Sequence, residues 1–333
     1  MPSAPSRSRR LLIATGALIS VACAGFATPV AAASARPVVP PHRVVFPTLE
    51  ASRAAKHDCA LPLVINVACV GAGLPLQWNG GPVQKNPAVY IVIWGWHGID
   101  PSGEAPYQQS FFKGIGGSAW QATQTQYCDS TGVLGLQPTC TAGAGHVGNP
   151  TGVLKGVWTD ETNPIPTSPD DAAIAAEAAR AAAHFGNTTA AQNEGTQYII
   201  DTPHGNSSSG FAASGGTWCS YHSYSAAAGG ISYTDFPYIS DAGTSCGQNS
   251  VNASGTLDGV SIVGGHEYAE SLTDPTAGTG WTDAALQENG DKCAWITAGP
   301  GTSTDIALPT GSFPVQALWS DAANAGAGGC VTG

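Results

Sequence analysis

Ala88-Val-Tyr-Ile-Val-Ile-Trp94 decides how this chain folds. The run is almost wholly apolar and rich in β-branched side chains, with no polar alternation. That is the mark of a strand buried on both faces, as in a sheet covered by helices on each side. Gly152-Val-Leu-Lys-Gly-Val-Trp158 and Thr196-Gln-Tyr-Ile-Ile200 are shorter runs of the same kind, each ending in a polar turn. Between them Asp171 to His184 is Ala-rich. Asp170 can cap that helix, and Gly186 stands where a left-handed residue closes one. A second helix is expected over Phe111 to Tyr127, weakened by Gly114, Gly116 and Gly117. Strands alternating with helices predict an α/β layered domain with a mixed sheet, not an all-β sandwich.

The 333 residues divide unevenly. Arg7, Arg9 and Arg10, the apolar stretch Leu11 to Ala24 and the small residues Ala31 to Ala35 read as a secretory signal peptide over 1–35. Residues 36–75 are Pro-rich, then mildly basic, and show no strand or helix period over 36–57, so they read as a linker or pro-segment. From 76 to 333 neither a linker nor a repeat appears, which predicts a single domain. No later segment reaches the ~18 apolar residues of a membrane span, so no membrane association is expected after the signal is removed. Lys and Arg number 12 against 23 Asp and Glu. A chain this acidic cannot neutralise a row of phosphates, which excludes nucleic acid as a partner. Once Cys23 leaves with the signal, eight cysteines remain, and an even number in an exported chain predicts disulfides. Nearest-neighbour pairing gives 59–69, 128–140, 219–246 and 293–330.

The chemistry gathers near the C-terminus. Of eight Glu in the chain, Glu267, Glu270 and Glu288 fall close together. They lie in Gly264-Gly-His-Glu-Tyr-Ala-Glu-Ser-Leu-Thr-Asp-Pro275 and Glu288-Asn-Gly-Asp-Lys-Cys293. Asp258 can cap a helix from about Gly259 to Leu272, and Pro275 stops it. His266 and Glu270 then lie one turn apart on one face, and Glu267 about 60° beyond Glu270. The remaining circumference is apolar or small, which predicts a helix buried against the sheet, and buried charges need partners or a metal. In H-E-x-x-H hydrolases two His hold zinc and the Glu between them takes a proton from the activated water. Here Glu270 replaces the second His, so further ligands must come from elsewhere. His222 would complete a His-His-Glu set for zinc. Glu288 would give an oxygen-rich site better suited to calcium or manganese, with Asp274 and Asp291 as supporting or alternative ligands. Glu267 is the candidate general base.

These stretches, with Gly280-Trp281, resemble the hallmark region of the EXORDIUM (phosphate-induced protein) family. Tyr90-Ile-Val-Ile-Trp-Gly-Trp96 is similar to that family's early strand element, and Cys219-Ser-Tyr-His222 to its Cys-x-x-His element. The likeness runs in patches over 88–296. It implies family positions at His222, His266, Glu267, Glu270, Glu288 and Asp291, and a growth-related or cell-wall role without a settled reaction. It also implies that the cluster can be structural.

Other residues carry less. His97 and His204 follow strands and read as turn residues; Ser207, Ser208 and Ser209 lack the G-x-S-x-G elbow of serine hydrolases. Three functions remain in play. The first is a secreted metal-dependent hydrolase, most readily a peptidase acting on extracellular protein or peptide. The second is a non-catalytic wall-associated protein, and the third a metal-independent acid hydrolase using paired carboxylates.

Overall fold

A computed structural model describes residues 43–59, 73–130, 139–206 and 208–333. The expected signal peptide and the expected Cys59–Cys69 bridge lie outside the described residues. In chain order the elements begin with β1 (Val44–Pro47), α1 (Leu49–Cys59), β2 (Gln77–Trp78) and β3 (Ala88–Trp94). Helices α2 (Glu104–Ile115) and α3 (Ala119–Ala122), β4 (Leu154–Asp160), α4 (Asp171–His184), α5 (Ala190–Asn193) and β5 (Thr196–Asp201) follow. Then come β6 (Trp218–Ser225), β7 (Ile231–Phe236), α6 (Asp258–Thr273), β8 (Trp281–Thr282), β9 (Thr304–Leu308) and β10 (Gly311–Val315).

Six strands form one mixed sheet in the order β1-β6-β7-β5-β3-β4. The apolar run of β3 lies between β4 and β5 and is parallel to both, with Ile91 opposite Val157 on one side and Ile199 on the other. β5 and β7 are also parallel, whereas β6 and β1 run antiparallel to their neighbours. Successive residues of a strand point to opposite faces, and β5 shows which helix covers which. Tyr198 donates to Asn193 of α5 on one side, while Gln197 donates to the Glu267 carbonyl of α6 on the other. Helix α4 packs on the first face against β5 and β7; α6 packs with α2 and against β6, β7, β1 and β10.

Helix α4 runs over the expected residues, with the Asp170 carboxylate accepting from Ala173 N and Gly186 at φ 77°. Three expected disulfides are present: Cys128–Cys140, Cys219–Cys246 and Cys293–Cys330. Among the described residues no helix is long and apolar enough to cross a membrane.

Three expectations need correction. The helix read over 111–127 is two helices, broken at Gly116 and Gly117. It starts earlier because the Asp100 carboxylate accepts from Glu104 N and Ala105 N. Asp258 does not cap α6 with its side chain; it is the first helical residue, and its carboxylate holds the preceding loop at Val251 N and Asn252 N. Of the linker or pro-segment reading of 36–75, the linker alternative fails over 44–59. β1 is an edge strand of the main sheet, its alternate residues Val44 and Phe46 buried, and α1 follows it with the Thr48 hydroxyl accepting from Ala51 N. Four residues are too few to display a period of two, and the partner β6 lies far along the chain.

Candidate metal centre

Three elements bring the chemistry together. On β6, Ser220 and His222 are two residues apart and so share a face, the one turned to α6. On α6, His266 and Glu270 stack one turn apart, with Glu267 beside them. The third element is the loop Glu288–Asp291. Every residue of α6 is buried, and Gly259 near its start is obligatory because a Cβ there would lie 2.1 Å from the Cys246 carbonyl oxygen.

His222, His266, Glu270 and Glu288 have side chains 0 % exposed, whereas Asp291 is 15 % exposed. His222 Nδ1 lies 3.2 Å from Glu267 Oε2 and 3.3 Å from Glu270 Oε2, and its Nε2 lies 3.6 Å from Glu288 Oε1. His266 Nε2 lies 3.1 Å from Glu270 Oε1 and 3.9 Å from Asp291 Oδ1. Glu267 is held at both oxygens, by the Ser220 hydroxyl and by His222. If His222 donates its Nδ1 proton to Glu267, its Nε2 lone pair faces the carboxylate of Glu288. His222 Nε2, both nitrogens of His266, Glu270 Oε2 and both oxygens of Glu288 make no well-aligned hydrogen bond, although Glu270 lies within ion-pair reach of both imidazoles and Glu288 within that of His222. Buried polar atoms are almost always paired, and these imidazole and carboxylate atoms, poorly satisfied by one another, form two groups able to hold a cation.

The electrostatics agree. Burial works to lower the His222 pKa, yet the hydrogen bonds and charges of Glu267 and Glu270 raise it to about 10. His266 is likewise held up to about 9 against burial, chiefly by Glu270. Burial pushes Glu288 well above the carboxylate range, with Asp274 and Glu270 adding to it. Burial and then Glu270 push Asp291 up to about 8. Glu270 is the exception: the two imidazoles outweigh burial and take it to about 2. Protons do here what a cation would do, and metal binding must displace them.

The loop from 288 is clamped to the helix. Asn289 donates to the Ala269 carbonyl and Thr273 hydroxyl, Asp291 N donates to Glu270 Oε1, and Gln316 donates to the Gly290 carbonyl. Only glycine fits at 290, since a Cβ would lie 2.6 Å from His266 Nδ1 and 2.9 Å from Glu270 Oε1. On its ring face His266 is covered by Phe46 of β1, with centroids 3.8 Å apart, and Phe46 stacks in turn on Trp295.

All six residues from the sequence motifs therefore meet: His222, His266, Glu267, Glu270, Glu288 and Asp291. Asp274 has a different task. Its carboxylate accepts from the backbone of Gly278, Thr279 and Gly280, closing the turn after α6 beside Glu288. His97 and His204 stand apart on the surface, paired with Glu161 and Asp241. Ser208 donates to the buried Asp235 carboxylate, and Ser207 lies outside the described residues. The sequence motifs do not single out Ser220, Gly290 or Phe46. Ser220 is within reach of such reasoning, two positions before His222 on a strand; Phe46 is hidden in the supposed linker. No family model, curated protein or solved structure matches the chain.

Proposed function

We propose that this is an exported metal-dependent hydrolase that cleaves extracellular protein or peptide, with Glu267 as general base. One observation carries the metal: buried imidazole nitrogens and carboxylate oxygens, poorly satisfied by hydrogen bonds, converge from β6, α6 and the 288–291 loop. Imidazole with several carboxylates suits zinc or manganese better than calcium, which prefers oxygen alone. When bound, such a cation lowers the pKa of a water and polarises a carbonyl. The chain's own residues do the rest. Glu267 belongs to neither ligand group, lies against both His222 and Ser220, and is positioned by them to take a proton. Asp291 is the one partly exposed member of the cluster, and Phe46 covers the ring face of His266. The disulfides and the N-terminal sequence support export.

The near-complete burial favours a second reading, an EXORDIUM-like non-catalytic protein with a structural metal centre. Purified mature protein, analysed for metal and assayed on casein with and without chelator, decides between them. Hydrolysis that stops on chelation and returns with zinc or manganese supports the hydrolase. A bound metal whose removal lowers the melting temperature, with no hydrolysis in either state, supports the structural centre.

A further inference from the structure

The candidate ligands do not gather around one point. They form two groups, His222–Glu270–Glu288 and His266–Glu270–Asp291, the ligand atoms of each within 4.8 Å of one another. The two imidazoles fall in different groups, and Glu270 alone belongs to both. Its oxygens divide between the imidazoles: Oε2 lies 3.3 Å from His222 Nδ1 and Oε1 lies 3.1 Å from His266 Nε2, while Glu288 Oε1 faces the other nitrogen of His222, Nε2, at 3.6 Å. Ligands at about 2.1 Å from one ion lie about 3.0–3.4 Å apart at octahedral or tetrahedral angles. His266–Glu270 at 3.1 Å falls within that span, and His222–Glu288 at 3.6 Å and His266–Asp291 at 3.9 Å lie a little above it.

Charge points the same way. Glu267, Glu270, Glu288 and Asp291 bring four carboxylates into a space almost closed to water, and their ion-pair partners are His222 and His266. With the imidazoles neutral and all four carboxylates ionised, two divalent ions balance the charge, whereas one ion leaves two carboxylates that must keep their protons.

We propose that the centre is dinuclear: two divalent transition-metal ions share Glu270 as a bridging carboxylate, one completed by His222 and Glu288, the other by His266 and Asp291. Two ions joined in this way lie about 3.5–4 Å apart, the spacing of two-metal hydrolases. The inference rests on the metal-centre reading above and adds to it the number of ions and the role of Glu270.

The test is stoichiometry together with magnetic coupling. The full mature protein is stripped with chelator and titrated with Mn²⁺ by calorimetry, and the dialysed product is analysed for metal and by electron paramagnetic resonance. Two equivalents per chain and an exchange-coupled spectrum are expected. Glu288→Gln and Asp291→Asn should each fall to one equivalent and give the spectrum of isolated Mn²⁺. Glu270→Gln should fall below one. One equivalent in the wild type, with an uncoupled spectrum, overturns the dinuclear centre but leaves a single-ion site standing. No binding at all overturns both readings. Because the wild-type result decides the question, a variant that fails to fold does not rescue it.

Discussion

Replacing Phe46 with Ala tests whether the N-terminal strand belongs to the fold. Phe46 is 0 % exposed, its ring lies flat on His266 at 3.8 Å, and its other neighbour Trp295 stacks at 4.8 Å. Truncating a fully buried Phe removes its transfer free energy and leaves a cavity, together about 3–5 kcal/mol. Here the cavity cannot close cheaply. The imidazole is wedged on its far edge by Gly290, and Trp295 is tied by its indole N–H to the Pro47 carbonyl. In a chain of this length about 2–4 °C accompanies each kcal/mol, so the melting temperature should drop by about 6–20 °C. Urea titration with the disulfides intact measures the same loss as a shift in midpoint at constant slope. Arg53→Ala, on the exposed side of α1, is the control and should stay within about 0.5 kcal/mol of wild type. If Phe46→Ala unfolds with that control, residues 44–59 are an appendage docked on a finished fold, and the reasoning about β1 is wrong.

Three further outcomes follow from the same geometry. Glu267→Gln presents an amide N–H₂ to His222 Nδ1, or turns its uncharged, weaker-accepting carbonyl there while the amide donates to Ser220 Oγ. Either way the imidazole is less well held, and metal affinity should fall about 10–100-fold. At saturating metal, casein turnover should still drop about 10²–10⁴-fold; full turnover in that variant would remove Glu267 as the base. Gly290→Ala forces a methyl against His266 Nδ1 and Glu270 Oε1, and overpacking of this kind costs about 1–3 kcal/mol. Calorimetry should show weakened metal binding with the circular dichroism spectrum retained; wild-type affinity would mean the loop moves freely. The third concerns pH. Burial raises Glu104 to about 7 and Asp235 to about 8, in each case against hydrogen bonds that favour the charged form. Unfolded carboxyls titrate near ~4. With the folded values higher, the two groups contribute in full below that pH and lose the contribution as pH rises through 7 to 8. The urea midpoint should therefore fall from pH 5 to pH 8, and Glu104→Gln with Asp235→Asn should flatten the decline. A midpoint that rises over this window contradicts the assignment.

What is legible in the sequence is whatever repeats at short range. The apolar run at 88–94 needs no partner to announce a buried strand, and the caps of α4 are written into Asp170 and Gly186. His266 and Glu270 share a face because a helix turns at a fixed rate, so their pairing follows from their spacing alone. The division of the cluster does not. Whether His222 and His266 serve one point or two depends on the register of β6 against α6 and on how the 288–291 loop lies along that helix. Both are fixed by contacts between residues far apart in the chain, such as Ser220 with Glu267 and Asn289 with Ala269. Phe46 falls in the same gap. A strand of four residues, placed by pairing with Ser220 across the whole domain, carries no local signal strong enough to separate it from a linker. Yet that strand supplies the ring that covers His266, and the 288–291 loop supplies Asp291, the one partly exposed member of the cluster. Both come from segments outside the H-E-x-x-E helix, which is why that motif names candidate ligands without revealing how they group or what covers them.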